Sequence, residues 1–141
     1  MVRRRCRSPR YLLIEKSGLA FRKSETDTEG ERWTLPPVWL DLANSGPRGV
    51  CLKSLYVRPS KRGQGHAGMV LSALCRAADE AGLMLTLSAH AYGDKFGPST
   101  AKLVKWYARY GFVVRRVESL TGWIGMFRRP GRRVSRVRLA A

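Results

Sequence analysis

Acidic residues are scarce in this sequence. Ten Asp and Glu stand against 27 Lys and Arg, which leaves a formal net charge of +17. Cysteine is scarce as well: Cys6, Cys51 and Cys75 are odd in number and far apart. They form neither a disulfide framework nor a metal-ligand spacing, so no metal is expected. Long apolar runs are missing, and none approaches the roughly 20 residues that a bilayer span needs. The Arg-rich N-terminus lacks the apolar stretch of a secretory signal, and a cytoplasmic location is the expectation. There is no internal repeat, no helix-turn-helix pattern and no aromatic-rich RNA-binding signature, which argues against a dedicated nucleic-acid fold.

What is there begins with size. A chain of 141 residues with 44% hydrophobic content is one domain's worth and can bury a single core. Its charge is segregated. Residues 1–10 hold five arginines, residues 128–141 hold six, and neither stretch has an acid. The remaining sixteen basic and ten acidic residues leave the body only modestly positive. The expected organisation is a basic arm over 1–10, a folded body over 11–127 and a basic tail over 128–141. Such ends suit nucleic acid, anionic lipid or an acidic protein, or serve simply as solubilising charge.

Along the chain, Tyr11 to Ile14 and Leu19 to Phe21, separated by Lys16-Ser17-Gly18, suggest a short hairpin. Residues 24–31 read as an acidic surface loop. Trp33 to Leu42 carries Pro36 and Pro37, which argues against a helix there. Val50 to Val57 is β-rich and closes at Arg58-Pro59. Ala67, Val70, Leu71, Leu74, Ala78 and Ala81 recur at helical spacing, and Gly82 supplies a stop. Leu83 to Ala89 has the length and apolarity of a central strand buried on both faces. Ser99 is a natural N-cap for a second helix, in which Leu103, Trp106, Tyr107 and Tyr110 share one face and Lys102, Lys105 and Arg109 face away. Gly111 ends it. Phe112 to Val117 and Gly122 to Phe127 read as an antiparallel pair. Strands alternating with helices in this order predict an α/β domain with a mixed sheet.

The chemistry concentrates between Val57 and Val70. A glycine loop from a strand into a helix aims backbone N–H groups, and the positive end of the helix dipole, at one point. Gly63 and Gly65 permit close approach, Arg62 adds a cation, and Ala67 keeps the first turn clear. Those residues fit a pyrophosphate site, and equally a tight turn without a ligand. No Gly-Lys-Ser/Thr follows, so this is not a P-loop, and the third glycine of a dinucleotide fingerprint is missing.

Arg62-Gly63-Gln64-Gly65-His66-Ala67 resembles the acyl-CoA pyrophosphate loop of the GNAT N-acetyltransferase superfamily. Leu55-Tyr56-Val57-Arg58-Pro59 is similar to the strand that leads into that loop. Trp106-Tyr107-Ala108-Arg109-Tyr110-Gly111-Phe112 is similar to the family's aromatic-Tyr-x-x-x-Gly-Phe ending. The resemblance covers residues 50–127. It implies a mixed, mostly antiparallel sheet flanked by helices, here with an abbreviated N-terminal half. It also implies an N-acetyltransferase that moves an acetyl group from acetyl-CoA to an amine by direct attack. On that resemblance, backbone groups of Leu55, Tyr56 and Val57 would pair with the pantetheine arm. Arg62 and the loop Gly63, Gln64, Gly65, His66, Ala67 and Gly68 would hold the pyrophosphate, with His66 offering its backbone rather than its ring. Tyr107 would protonate the departing thiolate, or else serve as a core aromatic.

Three departures from the family stand out. Lys53 and Ser54 lie where many members carry a glutamate, so His90 becomes the candidate base, or else a structural or solvated histidine, with Asp94 and Glu118 as weaker candidates. Thr100 stands where the family often has Asn. The segment before Val50 is short for a family that usually builds its acceptor wall from two helices, and Trp33, Trp39 and Pro36-Pro37 are expected to form a reduced wall. The amine is not identified by any residue. A different class of function, a weak or inactive GNAT-fold protein that binds nucleic acid or a protein through its basic ends, fits the same sequence.

Overall fold

In a computed structural model the described residues are 8–23, 31–91 and 99–131. Most of the two basic ends, the acidic segment 24–30 and Asp94 therefore lie outside the described residues.

The first element corrects the hairpin expectation. Pro9–Ser17 is a helix, α1, with Pro9 in its first turn and Gly18 as its C-cap at φ 71°. Proline is pre-set for a helix start and loses nothing there, while glycine takes the left-handed stop. Leu13 and Ile14 face the core. Arg10 thus belongs to a helix, and its N–H donates to Asn44 Oδ1 at 3.1 Å.

Three antiparallel strands follow the short β1 (Arg22–Lys23): β2 (Glu31–Leu35), β3 (Val38–Asn44) and β4 (Gly49–Val57). Pro36 and Pro37 make the β2–β3 turn, so the prolines end a strand pairing rather than interrupt a helix. A 3₁₀ turn at Pro59–Lys61 leads to α2 (His66–Ala81), which Gly82 stops at φ 68°. Next come β5 (Met84–Ala89), α3 (Thr100–Ala108), β6 (Val113–Val117) and β7 (Ile124–Arg128). Ser99 caps α3 by accepting from Lys102 N at 3.3 Å.

The strands form one seven-stranded sheet in the order β1-β2-β3-β4-β5-β7-β6. Only β4 and β5 run parallel, because α2 carries the chain back between them. One face is buried beneath α1 and α2: Val38, Leu40 and Leu42 of β3, Val50 and Leu52 of β4, Leu85 and Leu87 of β5. Along β5 burial alternates, with Thr86 half-buried and Ser88 exposed on the other face. The expectation of a strand buried on both faces is thus corrected; a sheet with one open face needs only alternate apolar residues.

A polar clamp closes the far side of the core. Arg128 of β7 meets Asp79 of α2 through two hydrogen bonds of 2.7 and 3.0 Å, and its Nε donates to Tyr110 O at 2.6 Å. Gly131 N also donates to Asp79 at 2.6 Å. Arg128 and Gly131 are therefore tied into the body, although the sequence puts them in a basic tail.

Candidate functional site

The site arises where β4 and β5 part. They pair from Gly49↔Met84 to Leu52↔Leu87 and no further. Beyond that point β4 stays with β3, through Leu40↔Leu55, Trp39↔Tyr56 and Val38↔Val57. β5 stays with β7, through Ser88↔Gly125 and Ala89↔Ile124. The cause is local. Asp41 pairs with Ser54 and Leu42 with Leu52, so Lys53 is an extra residue in β4, and such a bulge bends its strand. Among the described residues no strand covers the β5-facing edge of β4 from Lys53 to Val57. Its backbone donors and acceptors face a V-shaped gap.

That gap opens into a cleft of about 700 Å³. Leu55, Tyr56 and Val57 form one wall, and Leu87 to His90 the other. At the wide end lies the loop into α2. Gly63 and Gly65 adopt φ 77° and 82°, conformations that suit glycine, and a Cβ at either would meet nothing within 4 Å. Gly65 is the N-cap of α2 and has no side chain to cap it; the first helical bond is Met69 N to Gly65 O. The N–H groups of His66, Ala67 and Gly68 therefore have no partner within the helix. All three residues line the cleft, as do Gly63 and Gly65. Gly68 is needed for a second reason: a Cβ there would lie 2.9 Å from Tyr110 Oη.

Arg62 is held in place rather than extended. Its Nε donates to Val57 O at 3.0 Å, and its guanidinium lies over the Tyr56 ring at 5.2 Å. It thereby fastens the loop to the end of β4 while lining the cleft. Gln64 is exposed and does not line the cleft, which sets it apart from the other loop residues.

Tyr107 and His90 both line the cleft. Tyr107 is half-buried, edge-on to Phe112 at 5.6 Å and to Trp106 at 5.0 Å, so it is packed and accessible at once. His90 stacks on Trp123 with ring centroids 4.1 Å apart, and its Nδ1 lies 3.2 Å from Ser88 O. A carbonyl can only accept, so this contact places the proton of the neutral ring on Nδ1 and the lone pair on Nε2. Thr100 Oγ1 accepts from Ala91 N at 3.1 Å and joins the end of β5 to α3. Of the weaker base candidates, Glu118 sits in the β6–β7 loop, 3.7 Å from Arg116, and does not line the cleft. Trp33 is 6% exposed and edge-on to Tyr11, so it belongs to the core and not to an acceptor wall. Trp39 lies beside Tyr56 and beneath Arg58.

The charge of the cleft was only partly legible. Lys53, Lys61, Arg62, Lys102, Lys105 and Arg109 line it, and no described carboxylate does. Lys102, Lys105 and Arg109 read from sequence as the outward face of α3; they are exposed there and also form a cationic stripe along the rim. Their spacing on one helix face was the available signal. Among the described residues no group of three or more His, Cys, Asp or Glu could hold a metal ion, and no helix is long and apolar enough to cross a membrane.

No family model and no curated protein matches the sequence. Solved structures do match the fold. Ard1 from Thermoplasma volcanium superimposes with a TM-score of 0.53 at 14% identity, covering 74% of this chain and 72% of that one. Tetrahymena GCN5 gives 0.55 at 10% identity, over 74% and 71% of the two chains. A GNAT family acetyltransferase from Elizabethkingia anophelis, solved with acetyl-CoA bound, gives 0.53 at 17% identity, over 72% and 77%. These likenesses show the fold: this chain shares the mixed sheet and flanking helices of a GNAT family acetyltransferase of known structure.

Proposed function

We propose that the cleft binds acetyl-CoA and that the protein transfers the acetyl group to an amine. The observation that carries this reading is the parting of β4 and β5 in front of the uncapped N-terminus of α2. An extended pantetheine chain can pair with the open edge at Leu55 to Val57, while its pyrophosphate meets the N–H groups of His66, Ala67 and Gly68. Six basic side chains and no described carboxylate around the cleft favour a polyanionic donor. The similarly folded Elizabethkingia protein, solved with acetyl-CoA bound, supports the same reading.

In the reaction the lone pair of a neutral amine forms a bond to the thioester carbonyl carbon. The tetrahedral adduct collapses as the C–S bond breaks. The sulfur takes a proton from the Tyr107 hydroxyl, and the new amide nitrogen gives up its extra proton to His90 Nε2 or to water. Tyr107 recovers its proton from solvent, so the products are the acetylated amine and free CoA thiol.

The test is mass spectrometry of candidate amines after incubation with isotopically labelled acetyl-CoA. Labelled amide should appear with the wild-type protein, and Tyr107→Phe should lower turnover by about 10² or more with donor affinity nearly intact. Wild-type turnover in that variant would return Tyr107 to a purely packing role. Donor binding with no transfer to any amine would favour the reading of an inactive GNAT-fold binder, which the lack of a carboxylate among the described residues of the cleft supports.

A further inference from the structure

The open face of the sheet carries a second hollow, of about 260 Å³. It shares Leu87 and Ser88 with the cleft, so the two meet where β4 and β5 part. The donor and a second molecule could therefore reach one point from opposite sides of the sheet.

Two consecutive arginines, Arg115 and Arg116, line this hollow. In a regular strand, neighbouring side chains face opposite ways. Here β6 is bulged: Val114 pairs with Met126 and Arg116 with Gly125, which leaves Arg115 as the extra residue. Bulges re-aim side chains, and this one brings both arginines to the same side. Gly125 then gives Arg116 its path. A Cβ at Gly125 would sit 3.6 Å from Arg116 Cγ, so the stem of Arg116 lies directly over β7. Gly125 is in turn the partner of Ser88, which puts that stem level with the junction of hollow and cleft.

The charge in the hollow is only slightly neutralised. Among the described residues Glu118 is its single carboxylate, and it pairs with Arg116 at 3.7 Å with side chains 36% and 73% exposed. An exposed pair of that length contributes little. Arg115 has no ion pair among the described residues. Cys51, Thr86 and Ser88 supply a small, mildly polar floor. Two guanidinium groups over such a floor match a carboxylate or phosphate, which each can hold through paired N–H donors.

We propose that this hollow is the acceptor site, and that its amine carries an anionic oxyacid group held by Arg115 and Arg116. This rests on the acetyl-transfer reading above. With the anion on the arginines, the amine nitrogen lies toward Ser88, where its lone pair meets the thioester carbon and the C–S bond breaks as described.

The test compares matched amines by the rate of thioester loss. ω-Amino acids of two to six carbons are set against alkylamines of equal length, and phosphoethanolamine against ethanolamine. The wild-type kcat/KM should favour the anionic member by about tenfold or more, the scale of a charge-assisted hydrogen bond. In the Arg115→Gln/Arg116→Gln double variant that preference should shrink to within about threefold, the residue of weak surface electrostatics, while acetyl-CoA affinity by calorimetry is unchanged. The better of the two series identifies carboxylate or phosphate as the anion. Equal rates for neutral amines, a preference that survives in the double variant, or no anionic amine acetylated by a protein that binds acetyl-CoA would each overturn the inference. Absence of acetyl-CoA binding would overturn the acetyl-transfer reading, and this one with it.

Discussion

Cys75 lies on the inner flank of α2, 6% exposed, with its sulfur 4.0 Å from Tyr110 O. Burial pushes its thiol up from 9.0 to about 11; Arg128 opposes the shift and Asp79 adds to it. The consequence for stability has a definite sign. Below pH 9 the thiol is protonated in both folded and unfolded chains and contributes no pH dependence. Between pH 9 and 11 the unfolded chain releases its proton and the folded chain does not. Stability should therefore fall through that window, at up to about 1.4 kcal/mol per pH unit from this group. Urea unfolding of wild type and Cys75→Ala at pH 8, 9 and 10 reads it as a difference in slope; parallel slopes would show that burial does not hold the thiol protonated. From sequence, Cys75 was visible only as one of three scattered cysteines. Its surroundings come from Tyr110 and Arg128, far along the chain. Tyr107 was different: its motif named the residue, and only the structure showed that it is packed on Phe112 and exposed to the cleft together.

Elements with their own punctuation were legible. Gly82 stops α2, Ser99 caps α3, and the glycines before His66 mark the start of α2, each through backbone chemistry carried by one residue. α1 was misread because Gly18 closes a helix as readily as it turns a hairpin. The apolar run Tyr11 to Ile14 has no alternation to choose between them. The two bulges were illegible, since Lys53 and Arg115 become extra residues only against the register of their partner strands. The clamp between β7 and α2 was also hidden, because Arg128 and Asp79 are far apart in sequence. Its side chains are 13% and 23% exposed, so breaking it leaves a poorly solvated carboxylate. Arg128→Met keeps most of the apolar stem and should cost about 2–4 kcal/mol in urea unfolding, with partial recovery in the Arg128→Met/Asp79→Asn pair. A loss below about 0.5 kcal/mol would reduce the clamp to a surface ion pair.

At the scale of the molecule, much of the described positive charge has a location. One group rims the cleft, and Arg115 and Arg116 mark the opposite face where the second hollow meets it. The total charge was plain in the sequence, but its arrangement around one point depends on α3, the loop before α2 and β6 converging on the parted strands. Gly65 stands at that convergence, and it provides the most direct test that acetyl-CoA lies along β4 with its pyrophosphate on α2. Asp and Asn both tolerate the left-handed conformation better than other side chains, and they differ there chiefly in charge. Calorimetry with acetyl-CoA should give Gly65→Asn an affinity close to wild type. Gly65→Asp should lose about 100-fold or more, as expected when a carboxylate is set against a diphosphate. Equal binding of acetyl-CoA by the Asp and Asn variants would contradict the placement of the pyrophosphate and, with it, the reading of the cleft.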